Sequence, residues 1–286
     1  MNKLIHSFIY PEIKKDDRRY AGISGSEINS KGDWSDFLPP FEDQNVAGVE
    51  SSACYVEGNQ AVVATLKEYV YGILDENNSA RFNALLSKGT PTGGDPLKAG
   101  YSIKTDGLIP QSMMDWKGID SWEEFHSWEG VDKAQCLVKG QQEAIQWDKK
   151  YYILSEKNDP LEVKYNNLRQ ALKRSPVALS VYAWLERDGK YYKPQGARDT
   201  HLVMAIGLTD KNEIVIRDTY KPYIKILEAN TDFDFSMYWI LRKKSTEEVL
   251  NFTQKTLIIK LLEYVAILLK KIGNVAGKIL GRIFTN

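Results

Sequence analysis

Between residues 51 and 74 the apolar side chains Val62, Val63, Leu66, Val70, Ile73 and Leu74 fall three or four positions apart. That period predicts one long helix, beginning near Ser51 or Ser52, with an apolar stripe turned to the core. A second helical pattern spans Leu161 to Lys173 and presents Leu161, Tyr165, Leu168 and Leu172 on one face. The period then drops to two: Val177, Leu179, Val181 and Ala183 alternate, and His201–Leu208, Glu213–Arg217, Tyr223–Leu227 and Met237–Leu241 read as successive strands. Helices first and strands later is the order of an α+β protein. From Ser87 to Gly107 the chain carries Gly89, Pro91, Gly93, Gly94, Pro96, Gly100 and Gly107, which predicts loops with only short regular structure.

The last segment is patterned differently. Ser245-Thr246-Glu247-Glu248 is a capping-box start. Beyond it Leu257, Leu261, Leu262, Val265 and Leu268 share one helical face, while Lys255, Lys260, Glu263 and Lys270 share the other. Lys260 and Glu263 interrupt the apolar run, so residues 245–286 predict an amphipathic helix that packs or lies on a surface rather than crossing a bilayer. Residues 1–32, punctuated by Gly22, Gly25 and Gly32, read as an N-terminal extension.

Composition narrows the function classes. The chain has 286 residues, 43% of them hydrophobic, enough for a large domain or two packed lobes. Lys plus Arg balance Asp plus Glu at 38 each, so no overall field attracts nucleic acid. Two cysteines, Cys54 and Cys136, cannot build a disulfide framework, and with three histidines they predict no metal site and no cofactor. The first residues turn charged at Lys14, Lys15, Asp16 and Asp17, without a signal-peptide apolar run, which leads us to expect a cytoplasmic protein or one carried in a particle.

Three residue types could do chemistry together. Cys54 follows Ser51-Ser52-Ala53 at the opening of the long helix, where polar, capping-type residues and the helix dipole favour a thiolate nucleophile. Alone, Cys54 reads as well as a small buried hydrophobe. A thiolate needs a base, and His201 opens a strand, whereas His6 lies in the extension and His126 among acids. Asp218 ends the next strand, 17 residues after His201, where it could fix the imidazole tautomer. Singly, each has a structural reading that is at least as good.

As a set, and in this order, the residues resemble the papain-like cysteine peptidases over roughly Asp33 to Leu241. Asp33-Trp34 and Gln44 resemble the start of the mature peptidase and its oxyanion-hole glutamine. Ala53-Cys54-Tyr55 fits the small-Cys-aromatic nucleophile signature, with His201 147 residues downstream. Gly93-Gly94 resembles the pair whose backbone binds substrate, Ser175-Pro176-Val177 the lead-in to the sheet lobe, and Asp218-Thr219-Tyr220 the family's Asn-Ser-Trp. The departures are Asp218 for asparagine, Tyr220 for tryptophan, and a ten-residue spacing from Gln44 to Cys54 that threatens to displace the glutamine.

The resemblance implies a two-lobed fold over residues 33–244, with a helical lobe at about 44–130 and a sheet or partial-barrel lobe at about 131–244, followed by the helical tail. It implies a cysteine peptidase acting on a peptide or protein substrate through Cys54, His201, Asp218 and Gln44, with substrate held at Gly93 and Gly94. A second reading is a catalytically weak or inactive binding module of a larger assembly, a virus or phage particle for instance, attached to a partner or membrane surface through residues 245–286. A third keeps the chemistry and takes cell-wall peptides as substrate.

Overall fold

A computed structural model describes residues 8–13, 27–46, 48–74 and 77–252, with isolated positions at 254, 265, 267 and 270. Two compact units divide the chain, Met1–Arg242 and Lys243–Asn286.

In the first unit a two-stranded hairpin, β1 (Asn45–Val46) and β2 (Val49–Glu50), precedes helix α1 (Cys54–Tyr71). Four further helices follow: α2 (Ala80–Leu86), α3 (Pro96–Thr105), α4 (Trp122–Phe125) and α5 (Lys133–Gln146). Strand β3 (Trp147–Ser155), helix α6 (Leu161–Leu172) and strands β4 (Val177–Val181), β5 (Leu185–Arg187), β6 (Lys190–Tyr192), β7 (His201–Leu208), β8 (Ile214–Arg217), β9 (Ile224–Ile226) and β10 (Ser236–Lys243) complete it. Six strands form one sheet in the order β3-β10-β4-β7-β8-β9, antiparallel from β10 to β9, while β5 and β6 pair separately. The sheet does not close into a barrel.

Local sequence explains most of these boundaries. Helix α1 stops at Tyr71 because Gly72 adopts the left-handed conformation and returns its N–H to Glu68 and Lys67 carbonyls. Ile73 and Leu74 therefore fall outside the helix, shorter than the apolar period implies. The segment from Ser87 to Gly107, expected to be mostly loop, contains the ten-residue α3. Its signals are Asp95 as N-cap, accepting from Leu97 N–H, and Pro96 in the first turn. Beyond residue 130, α5 is a full helix packed against α3 and β3.

The core joins α1 to the centre of the sheet. Cys54 to Lys67 of α1 and His201 to Gly207 of β7 are all buried, and so is every residue of β4. Trp34 pins the stretch 27–46 to this core: it is fully buried, donates through Nε1 to the Leu172 carbonyl at 2.7 Å, and stands edge-on to Tyr69 at 5.0 Å. In the second unit, Ser245 and Glu248 exchange the two hydrogen bonds of a capping box, at 2.9 and 3.2 Å, and the chain is helical from Thr246 to Phe252. The amphipathic pattern that follows lies almost wholly outside the described residues. Among those that are described, no helix is long and apolar enough to cross a membrane.

Replacing Trp34 with Ala removes a large buried indole and leaves the Leu172 carbonyl without its donor. We expect a loss of about 3–5 kcal/mol in unfolding free energy, measured by urea titration.

Candidate active site

The start of α1 is built by a strained turn rather than by a capping side chain. Ala53 is the N-cap and makes no side-chain cap bond. The two serines expected to cap do other work. Ser51 Oγ accepts from Ala53 N–H at 3.2 Å, and Ser52, at φ +55°, donates its hydroxyl to the Pro91 carbonyl at 2.9 Å. Left-handed backbone at a β-unbranched polar residue is uncommon and is held here by these contacts. Helix α1 thus presents an N-terminus without a side-chain cap at Cys54, where its dipole is positive.

Three residues widely separated in sequence meet at this point. The Leu202 N–H donates to Cys54 Sγ at 3.4 Å, which sets the sulfur beside the first residues of β7. His201 Nε2 and Asp218 Oδ1 are 2.6 Å apart. His201 Nδ1 has no hydrogen-bond partner among the described residues. Burial opposes protonation of His201, yet the Asp218 carboxylate and the Cys54 sulfur outweigh it and hold the imidazole well above its ordinary pKa. Burial likewise opposes ionisation of Asp218, but His201 and Lys225 draw its pKa below the usual carboxylate range. Trp184 and Tyr220 flank the imidazole at 5.2 and 5.3 Å between ring centres.

The long spacing from Gln44 to Cys54 is taken up in part by a hairpin. The added residues fold back on themselves as β1 and β2, and Ser51 N–H donates to the Gln44 carbonyl at 3.1 Å across the base of that hairpin. The Gln44 side chain is fully buried, with Oε1 accepting from Thr219 and Nε2 donating to Glu50 Oε1 and Tyr220 Oη, both at 2.6 Å. Glu50 also receives Ser52 N–H and the Tyr220 hydroxyl. A carboxylate therefore sits on the amide expected to stabilise an oxyanion, and sequence reasoning missed it.

Of the glycine pair, Gly93 closes a tight turn with Thr90, and Gly94 lies flat on Tyr55, where a Cβ would come within 2.3 Å of the ring. The backbone of Gly94 is already engaged by the chain itself. Ile9 N–H donates to the Gly94 carbonyl and Phe8 N–H to the Thr200 carbonyl, each at 3.1 Å. Phe8 is buried against Phe235, and Cys54 and His201 have no solvent exposure. Part of the N-terminal extension thus lies over the residues expected to receive substrate.

Behind the thiol, on the next turn of α1, Glu57 is fully buried, and neither carboxyl oxygen has a hydrogen-bond partner among the described residues. It faces a pocket of about 20 Å³ shared with Glu42 and Arg217, room for roughly one water. Burial, then the charge of Glu42, pushes Glu57 well above its ordinary pKa. Burial carries Glu42 up to about 7 despite Arg217. Among the described residues no three His, Cys, Asp or Glu side chains are grouped to hold a metal ion.

No family model and no curated protein matches the sequence. Solved structures do. Xylellain, a cysteine protease from Xylella fastidiosa, aligns with 84% of this chain and 97% of its own at TM-score 0.60 and 15% identity. Procathepsin B from Trypanosoma congolense covers 84% of this chain and 87% of its own at TM-score 0.56 and 11% identity. Bromelain from Ananas comosus covers 73% and 98% at TM-score 0.53 and 18% identity. The chain has the papain-like cysteine protease fold, in a divergent form.

The buried carboxyl of Glu57 gives a testable pH dependence. Its folded pKa is raised, so once the unfolded chain ionises, the folded state must either keep the proton or bury the charge; stability falls as pH rises through that window. Glu57→Gln removes the ionisation. Its melting temperature should exceed that of the parent at pH 8, with the gap closing below about pH 4, where both states are protonated.

Proposed function

We propose that the protein is a cysteine peptidase. The observation that carries this reading is the buried imidazole of His201, held by the Asp218 carboxylate, with the Cys54 sulfur bonded to the N–H of the next residue, Leu202. In the proposed reaction Cys54 Sγ attacks the carbonyl carbon of a peptide bond. His201 passes its proton to the departing amine as a thioester forms. A water then gives its proton to His201 and attacks the thioester, releasing the acid and restoring the Cys54 thiolate beside the protonated imidazole. Gln44 Nε2 and the Cys54 N–H are the oxyanion donors in this scheme, and Gln44 serves once the Glu50 carboxylate has left it.

A second reading, the fold retained as a binding module, is favoured by two observations: the Gln44 amide is occupied, and the sulfur has no exposure. The two readings separate at Cys54. Under the peptidase reading, iodoacetamide adds one carbamidomethyl group at Cys54, while Cys136, whose thiol burial pushes up in pKa, reacts far more slowly. Cys54→Ala then loses casein or peptide cleavage by about three orders of magnitude or more. An inert Cys54 in a folded chain, with no cleavage to lose, leaves only the binding module.

The N-terminal cover has its own expected outcome. Phe8→Asp combined with Ile9→Pro removes a buried ring and the donor to Gly94. With a backbone hydrogen bond contributing about 1 kcal/mol net, Cys54 alkylation should accelerate about tenfold or more. An unchanged rate would show that another element seals the sulfur.

A further inference from the structure

Asp218 is an ionised group where the papain-like pattern carries a neutral asparagine, and the structure shows what accompanies the change. Its Oδ1 accepts from the Thr219 and Tyr220 N–H groups at 2.6 and 3.1 Å as well as bonding His201. Its Oδ2 receives the Lys225 ammonium at 2.5 Å. Lys225 is 4% exposed, projects from β9 opposite Ile216, and lies 4.9 Å from the centre of the Tyr191 ring. Both carboxylate oxygens are therefore engaged, Oδ1 by three partners and Oδ2 by the ammonium. An asparagine at 218 could keep the three Oδ1 contacts, but its Nδ2 would then point donor against donor at the ammonium.

We propose that Lys225 is a positioning residue of the site, acting through Asp218: the buried Asp218–Lys225 pair is a net-neutral substitute for an asparagine side chain. The pair gives His201 a fixed acceptor while offsetting part of the charge that a lone buried carboxylate would impose. A lone carboxylate would bind the imidazolium proton too firmly for its transfer to a leaving amine; the ammonium draws that field back. The charge of Lys225 is among the influences that lower the pKa of Asp218. A buried pair of this kind costs desolvation, and removing one partner strands the other, so the two residues must change together.

This inference rests on the peptidase reading for its catalytic meaning, but its test does not need turnover. The imidazoles of His6, His126 and His201 are followed by NMR in histidine-labelled protein as pH is raised, with His201 assigned by its loss in His201→Gln. Lys225→Met should raise the His201 titration midpoint by about one pH unit or more, because Asp218 then acts uncompensated. Asp218→Asn should lower the midpoint and melt earliest, because it buries an unpaired ammonium against an amide. The double variant Asp218→Asn/Lys225→Met should melt above Asp218→Asn alone and titrate well below the parent.

Two results overturn the proposal: a His201 midpoint that Lys225→Met leaves in place, or a double variant no more stable than Asp218→Asn. Should Lys225→Met not fold, the comparison of Asp218→Asn with the double variant still decides, since a lysine serving only packing makes the double variant the worse of the two. Iodoacetamide labelling of the same samples separates the two claims. An unreactive Cys54 with a shifting His201 midpoint removes the peptidase and keeps the charge substitution; a reactive Cys54 with an unmoved midpoint does the reverse.

Discussion

The site exists because α1 can lie directly on β7. Gly58, one turn along from Cys54, eases that approach: a Cβ there would stand 3.3 Å from the Leu202 side chain and 3.4 Å from the Val203 carbonyl. Further along the same contact Thr65 reaches Met204. That close approach of helix and strand places Cys54 against the residues that begin β7 and fixes the sulfur relative to the imidazole before any polar bond is counted. Packing at this density leaves little room for adjustment, so the geometry of the reactive groups is inherited from the core.

Around that contact the protein concentrates charge in a way unusual for an interior. Asp218, Lys225, His201, Glu57, Arg217 and Gln44 are all buried. Some have partners on both oxygens, as Asp218 does; Glu57 has none on either among the described residues. Buried polar networks of this kind give up stability and define a single arrangement, and incomplete satisfaction gathers where function is proposed. The aromatic pair Trp184 and Tyr220 closes the site around the imidazole and lowers the local dielectric, which strengthens each of these interactions.

Much of this was legible in the sequence. Period-two runs located β4, β7, β8, β9 and β10 to within a residue or two, and the order of Cys54, His201 and Asp218 against the glycine pair pointed to the fold. What escaped had physical causes. Helix α3 was hidden by its own caps, since Asp95, Pro96 and Gly107 look like loop residues when read without the turn between them. Lys225 was hidden because β9 inverts the usual alternation, with Lys225 inward and Ile224 exposed. Glu50 was hidden because its effect on Gln44 depends on a hairpin of four paired residues, which has no pattern long enough to register.

That hairpin carries a further consequence. Because Gln44 and Ser51 are tied at its base, the number of residues between Val46 and Val49 has no direct bearing on where the glutamine stands. Lengthening such a tip adds closure entropy only logarithmically, about 0.6 kcal/mol for each doubling. Spacing along the polymer is thus a poor ruler for this constellation: two chains with very different gaps before the thiol can share one arrangement in space, while chains of equal gap need not.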